Sequence, residues 1–469
     1  MKKLFKLTIL LIFPLCAYGQ INTFHTGEKI LFSQNILNET TSYSYDTTQF
    51  IIIVPRIFGL SSISNNRTYN SYLLGVNLSA NISNKFILIA NYDKLEGNHN
   101  SLITDYLDSL GVYPVFGATK TRFQFNLKYN LNKFFTMDAG KGKHFIGNGY
   151  RSLLLSSEHS PYPYFKLATE FGRIRYYNLY TTFLNPNMVD YGRKKHVTIH
   201  YLDFAITQKI HIGLFESILW QSKSESRNNG YELAYLNPVI FYRPVEFSMG
   251  SNKGNALMGA NFNAKFKKII LYGQFMIDDL NISRQEDRDD NYAGGFFQNK
   301  YAYQLGLKGK IKDVKYLIEY NQVQPYTYGH RTILQNYSHM NQALAHPLGA
   351  NFKELINILE IKKGKWTYKI KTMFANVGLD STATHYGQNI FASDYDASTG
   401  GQASYGNFNG QGVATKINTL YTEVAYSLKW GNVFGSVYYR TKKSDLLDQT
   451  FLFYSVGIRT FPFSAFTDY

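Results

Sequence analysis

Apolar and polar residues alternate along much of this chain, and a period of two predicts β-strands. In residues 122–131, "RFQFNLKYNL", the apolar and aromatic residues fall on one face, and the polar and charged residues fall on the other. The same alternation recurs in 72–80, 301–308 and 420–428. Because charged residues share one face in several of these strands, we expect that face to line an interior.

Short polar turns, nearly all with a Lys or Arg, divide the chain into nine hairpins. They are predicted at 81–85, 130–133, 172–173, 207–209, 266–268, 309–312, 362–365 and 429–431. Nine hairpins give eighteen strands, an even number that is typical of bacterial outer-membrane barrels. Each hairpin is expected to close at its far end through a longer loop, and the longest are predicted at 141–163, 221–253, 280–297, 324–351 and 378–415.

The difference in length between the short turns and the long loops distinguishes a transmembrane barrel from a soluble β-sandwich. A soluble sandwich also alternates apolar and polar residues, but it gives no reason for short turns on one side and long loops on the other. Transmembrane barrels have short periplasmic turns and long extracellular loops. The sequence therefore predicts an all-β protein, a transmembrane antiparallel β-barrel of about 18 strands.

Composition and the first residues agree with export to the outer membrane. The chain has 39 Tyr and 35 Phe, which suit the aromatic girdles of a barrel, and it lacks the ~18 uninterrupted apolar residues of a membrane helix after the leader. Three lysines, an apolar run and a small-residue cleavage site predict a signal peptide at 1–19. Residues 20–47 are then a short periplasmic lead-in, and residues 48–469 form the outer-membrane barrel.

Charge and cysteine content exclude several kinds of site. The formal charge of +16 falls to +13 when the three lysines of the signal peptide are subtracted, but the basic residues are scattered singly, so we expect no nucleic-acid partner. The only cysteine, Cys16, lies in the signal peptide. Disulfides, thiolate metal sites and cysteine nucleophiles are therefore excluded from the exported chain.

Residues 140–164, "GKGKHFIGNGYRSLLLSSEHSPYPY", combine glycine, charge and aromatic side chains more densely than any other stretch. The spacing of a nucleotide-binding phosphate loop is absent. Two interpretations stay open on residue grounds. Glycines, charged groups and tyrosines together suit a loop that holds carbohydrate, and the same residues suit a structural plug inside the barrel.

Two blocks of sequence carry a resemblance to a known family. The block "GKGKHFIGNGYRSLLLSSEHSPYPYFKL" resembles the signature of the capsule assembly protein Wzi family, and its sequence is closer still to that of the gliding motility protein RemB group. Residues 231–262 followed by 271–280 resemble the family's second block in the same order. The resemblance implies an eighteen-stranded outer-membrane barrel that holds surface polysaccharide, with relatives in gliding motility and surface attachment.

Carried onto this chain, the resemblance implies a polysaccharide-binding set on the extracellular side. Its members are Arg151, Glu158, Tyr162, Asn148 and Arg243. Implied partners are surface polysaccharide, outer-membrane lipid, and other envelope or motility proteins. Family members carry a helical periplasmic segment before the barrel, whereas residues 20–47 are too short and too polar to form one.

Metal, cofactor and enzyme chemistry find little support in the sequence. His196 and His200 share a strand face about 13 Å apart, too far to bind one metal ion. The acidic run 286–290 could bind calcium, but a solvated loop is the better interpretation because it lacks the EF-hand glycine. No serine-hydrolase elbow or zinc-protease motif occurs, so we expect a non-enzyme without cofactor or metal.

A pore or transporter barrel remains an alternative function. Eighteen strands can enclose a channel, and inward-facing Arg122, Lys128 and Lys308 would favour anions. A membrane subunit of a larger envelope complex is a further alternative. The sequence does not decide whether loops close the lumen.

Overall fold

The protein is described from a computed structural model that covers most of the chain. The described residues are 9–11, 50–83, 85–102, 120–186, 193–223, 230–238, 254–280, 295–382, 384–394 and 405–460. They form an eighteen-stranded antiparallel barrel, as the alternation predicts. The strands are β1 (Phe50–Ser64), β2 (Arg67–Ser83), β3 (Phe86–Asn98), β4 (Lys120–Asn130), β5 (Phe135–Gly142), β6 (Tyr162–Phe171), β7 (Ile174–Leu184), β8 (Lys194–Ala205), β9 (Ile210–Gln221), β10 (Asn255–Phe266), β11 (Ile269–Asp279), β12 (Lys300–Ile311), β13 (Val314–Val323), β14 (Phe352–Lys363), β15 (Trp366–Leu379), β16 (Val413–Ser427), β17 (Gly431–Ser444) and β18 (Leu447–Thr460).

Each strand pairs with its sequence neighbours, and β1 pairs with both β2 and β18, which closes the sheet. Closure satisfies the backbone groups that hydrocarbon would leave unpaired. A separate segment, Ile9–Leu11, lies parallel to Ile51–Ile53 and is not one of the eighteen strands. The rest of the predicted signal peptide and the whole lead-in 20–47 lie outside the described residues, so the domain boundaries stay predictions.

The eight predicted polar turns lie together at one end of the barrel, and the longest connections lie at the other. The expectation of a longer loop in every hairpin is wrong for two of them. Asn65–Asn66 and Asp445–Leu446 close β1–β2 and β17–β18 as two-residue turns. Both asparagines have positive φ, 49° and 60°, as the right-handed twist of a tight hairpin favours. These two hairpins therefore contribute no long loop to the extracellular rim.

The two faces of each strand match their surroundings. Outward-facing Leu74, Leu305 and Phe374 are exposed, as lipid-facing residues are. Inward-facing charges pair with one another, because Asp93 binds both Arg56 and Arg122 at 2.8 Å. Charged residues thus line the interior, as predicted. No helix among the described residues is long and apolar enough to cross a membrane, and Leu233–Leu236 and Ile333–Gln335 are short 3₁₀ turns.

A hydrophobic core fills the lumen towards the extracellular end. It joins residues of the inner wall to residues of the loops that follow β5 and β13. Its members include Leu153, Leu154, Leu155, Leu179, Phe183, Val197, Ile199, Leu257, Met276, Tyr328, Tyr337, Leu344 and Phe352. The described parts of these loops therefore pack inside the barrel as a structural core.

Candidate functional site: the lumenal loop and the extracellular cap

The connection between β5 and β6, residues 143–161, enters the barrel and is called the lumenal loop here. Ile146 and Leu155 form an isolated antiparallel bridge, with Ile146 N donating to Leu155 O at 2.9 Å. Ser152 Oγ donates to Ile146 O at 2.5 Å and accepts from Leu154 N and Leu155 N. These bonds fold the inserted part into a closed turn whose leucines are fully buried.

Two glycines let the lumenal loop approach the inner wall. A Cβ at Gly149 would collide with the carboxylate of Glu319 on β13. Gly147 has φ +136° and lies against the amide of Gln274. A side chain there would both collide with that amide and force an unfavourable backbone conformation. The dense glycines of this stretch are explained by close contact with the strands.

Carboxylate and amide side chains of the wall bind the backbone of the lumenal loop. Glu319 accepts from Tyr150 N at 2.6 Å and from Arg151 N at 2.9 Å. Gln274 accepts from Leu153 N at 2.8 Å and donates to Ile146 O at 2.9 Å. Buried backbone groups that the loop cannot pair internally are satisfied in this way.

Further wall residues bind the same turn from β10 and β12. Asn148 Oδ1 accepts from Asn261 Nδ2 and Asn263 Nδ2, each at 3.2 Å. Asn148 O accepts from the ammonium of Lys308, and Arg151 O accepts from Gln304 at 3.1 Å. The loop is thereby bound on several sides by inward-facing polar residues.

Arg151 and Glu354 form a buried ion pair between the lumenal loop and β14. Their side chains are 2% and 0% exposed, and Nη2 lies 3.2 Å from Oε1. Glu354 also contacts His346 Nε2 at 2.7 Å and accepts from Asn321 Nδ2 at 3.2 Å. Such a charge is tolerated away from water only while its partners remain in place.

The five predicted polysaccharide-binding residues fall into three settings. Arg151 and Tyr162 are buried, and half-buried Asn148 is bound to the inner wall. Glu158 is half-buried near the end of the lumenal loop. Arg243 lies outside the described residues. The structure thus binds Asn148 and Arg151 to the inner wall and places Tyr162 in the core beside the lumenal loop, and their contact with polysaccharide stays a prediction.

Tyr162 occupies an aromatic and histidine cluster rather than an open surface. Its ring packs against His159 at a centroid distance of 5.3 Å and against Phe183 at 4.9 Å. Its hydroxyl lies 3.1 Å from His144 Nδ1. The edge of His339 approaches the same ring at 5.8 Å. This cluster connects the end of the lumenal loop to the loop after β13.

The wall partners of the lumenal loop were missed by sequence reasoning. Gln274, Glu319 and Glu354 lie more than a hundred residues from the loop positions they bind. Their only sequence signal is a polar residue on the inward face of a strand, and every strand has such residues. Local motifs identify the loop but cannot select its partners.

The described residues of the loops 324–351 and 380–412, the second without 383 and 395–404, pack over the lumenal loop and are called the extracellular cap here. Tyr328 and Tyr337 donate their hydroxyls to Leu153 O and Leu154 O at 2.8 Å. Ser156 N donates to Leu344 O at 2.7 Å. The cap and the lumenal loop therefore form one hydrogen-bonded unit.

The surface of the cap presents aromatic rings and polar groups together. Phe408 is 64% exposed, and Phe391 and Arg331 are also exposed. Ser393 Oγ donates to Arg331 O at 2.8 Å, which joins the two loops beside Phe391. Exposed rings beside amide, hydroxyl and guanidinium groups can contact both faces and edges of a polar ligand.

The two histidines of β8 pack against different tyrosines. His196 packs on Tyr231 at 4.1 Å, while His200 contacts Tyr176, both on the outer face of the barrel. Among the described residues, no three His, Cys, Asp or Glu side chains are grouped so as to hold a metal ion. The acidic run 286–290 lies outside the described residues, so its calcium binding is not tested.

We expect acid to loosen the lumenal loop, because its histidines are buried in the neutral form. Burial, followed by nearby Lys143, lowers the pKa of His159 to about 4, and burial lowers the pKa of His339 well below its ordinary value of 6.5. The contribution of these neutral histidines to the stability of the folded loop is therefore complete above about pH 6.5 and is lost as the pH falls towards 4. Amide protection factors across residues 153–162, which correct for the slower intrinsic exchange in acid, should fall between pH 7 and pH 4.5. Replacing His159 with Gln should weaken that pH dependence, and equal protection at both pH values would contradict the expectation.

Comparison with solved structures places this fold among outer-membrane barrels. Wzi, an outer-membrane protein involved in group 1 capsule assembly in Escherichia coli and a carbohydrate-binding β-barrel, aligns with a TM-score of 0.57 at 14% identity, over 88% of this chain and 85% of Wzi. OprD and OccK1 of Pseudomonas aeruginosa align with TM-scores of 0.46 and 0.48 at 11% and 9% identity, each over 87% of this chain and over 93% and 96% of their own chains. No protein-family model and no curated protein sequence matches. The chain is an outer-membrane β-barrel with a Wzi-like fold.

Proposed function

We propose that the protein binds or organises cell-surface polysaccharide at the outer membrane. The observation that supports this most directly is the extracellular end of the barrel, where the lumenal loop and the cap share one core. Residues that could line a channel are used to hold these loops in place. A rigid outer surface with exposed rings is suited to holding a polymer outside the cell.

The likeness to Wzi agrees with this proposal. Wzi is a carbohydrate-binding barrel involved in capsule assembly, and its fold is similar to this one. The resemblance of residues 140–167 to the RemB group extends the proposal to gliding motility or surface adhesion. The proposal includes no catalytic step.

A binding measurement tests the proposal on the cap surface. Detergent-folded protein should bind surface polysaccharide of the source cell saturably. Phe408→Ala and Arg331→Ala should each weaken binding by about tenfold, since each removes an exposed contact without disturbing the buried core. Leu446→Ala is the matched control, because Leu446 is also highly exposed but lies in a tight turn on the far side of the rim.

Two outcomes would count against the proposal. Absence of saturable binding by the intact protein would favour the alternatives, a pore or transporter barrel or a subunit of a larger envelope complex. Binding that is lost only in Glu158→Ala or Arg243→Ala would keep the function but move the site from the cap to the predicted set.

A further inference from the structure

A segment of the loop between β9 and β10, residues 230–238, lies along the outer wall of the barrel and is called the strap here. Trp220 Nε1 on β9 donates to Gly230 O at 3.0 Å. Tyr180 and Tyr176 on β7 donate to Leu236 O at 3.0 Å and to Pro238 O at 2.6 Å. These bonds hold the strap against strands that otherwise face lipid.

Between the strap and the wall lies a groove of about 620 Å³. This volume is within the roughly 300–1,000 Å³ of sites that bind small ligands. Its lining includes Pro163, Phe165, Tyr180, Thr182, Tyr231 and Leu236. The hydroxyls of Tyr180 and Tyr231 already bond to Leu236 O and to Thr182 Oγ1, so the groove between them is mainly apolar.

The groove faces the outer leaflet of the membrane. Strand β7 has 11 residues, about the length that crosses the hydrocarbon at the usual tilt, and it begins at a periplasmic turn. Tyr180 and Thr182 therefore lie in its outer half. Phe165, directly paired with Tyr180, is also exposed on the outer face. A molecule bound in the groove would lie at the same depth in the membrane as the acyl chains of that leaflet.

Basic residues flank the groove towards the extracellular rim. Lys141 on β5 is paired with Pro163 and with the exposed Phe125, which places it on the outer face beside the groove. Lys194 is exposed at the extracellular end of β8, two residues from His196, whose ring contacts Tyr231. The strap contributes one acid, Glu232, next to Tyr231 in the chain. Two ammonium groups above an apolar groove match a phosphate above an acyl chain.

We propose that this groove binds one molecule of the phosphorylated glycolipid of the outer leaflet, with an acyl chain beside Phe165 and Tyr231 and a phosphate near Lys141 and Lys194. A neutral sugar polymer would not need the apolar depth of the groove. A partner barrel would need a flatter wall than the one the strap forms. The site is separate from the cap, so it extends the function to lipid recognition.

Native mass spectrometry of the full-length, detergent-folded protein tests this site with a defined deep-rough lipopolysaccharide as the probe. The intact protein should retain one molecule, and Lys141→Ala combined with Lys194→Ala should weaken retention by about tenfold. Phe165→Ala should weaken it too, through the lost apolar contact. The shift in gel mobility between heated and unheated samples shows whether each variant is folded.

The controls are outward-facing residues on the opposite wall. Phe374→Ala removes an exposed ring on β15, and Lys416→Ala removes an exposed ammonium near the extracellular end of β16. Neither should change retention. Equal losses in the groove variants and these controls would overturn the proposal, and so would equal retention of a zwitterionic phospholipid. Polysaccharide binding measured on the same variants should be unchanged, which distinguishes failure of this site from failure of the cap.

Discussion

Replacing Arg151 with alanine is expected to release the lumenal loop and to destabilise the protein by about 3–5 kcal/mol, the usual cost of leaving one member of a buried ion pair alone. Glu354 would keep His346 and Asn321 but would lose its guanidinium partner in a site with no exposure to water. Hydrogen exchange at the amides of Tyr150 and Leu153 should accelerate strongly. The midpoint of thermal unfolding should fall.

Arg122→Ala is the matched control for this change. Its side chain is 37% exposed, and its partner Asp93 keeps the Arg56 contact at 2.8 Å. The expected loss is therefore no more than about 1 kcal/mol. The double change Arg151→Met with Glu354→Leu should recover part of the loss, because the buried carboxylate is removed together with its guanidinium partner, while His346 and Asn321 lose an acceptor. Equal effects of Arg151→Ala and Arg122→Ala would contradict a structural role for the buried pair.

The strands and their faces could be predicted because each strand residue faces either lipid or the lumen, and that environment favours apolar or polar side chains. Successive residues of 122–131 face lipid and the lumen in turn, and this alternation is visible without knowing which strands are neighbours. The eight polar turns were predictable for the same reason. The tight turn at Asn65–Asn66 was missed, although Arg67 follows it directly, because a longer loop was expected at that end of every hairpin.

The candidate site could be predicted only in part. The glycines and charges of 140–164 identify a specialised loop, since both are visible in one short stretch. Whether Arg151 faces a ligand or a carboxylate depends on Glu354, which is 203 residues away and reaches the loop only after the barrel closes. Burial of Arg151 makes it an unsuitable probe of polysaccharide contact, because its loss would disturb the loop itself. The strap and its groove also depend on contacts between residues up to 62 positions apart, which no local motif reveals.

The largest functional change is expected when the inserted part of the lumenal loop is removed. Replacing residues 147–154 with Asn-Gly should keep the bridge between Ile146 and Leu155, since a two-residue turn of this kind joins paired strands. The leucines that fill the lumen and the bonds from Tyr328 and Tyr337 would be lost. In planar bilayers the intact protein should show negligible conductance, and the shortened variant should show stable current steps.

The conductance of the two proteins separates the surface-binding function from the pore alternative. In the shortened variant, water would enter the lumen and hydrate Glu319 and Glu354. These carboxylates would then no longer need the loop as a hydrogen-bonding or ion-pair partner. Arg122→Ala, which leaves the loop in place, should stay closed like the intact protein. Stable current through the intact protein would mean that its lumen conducts despite the packed loop, and the pore would become the better function. A closed shortened variant would show that the cap alone seals the barrel.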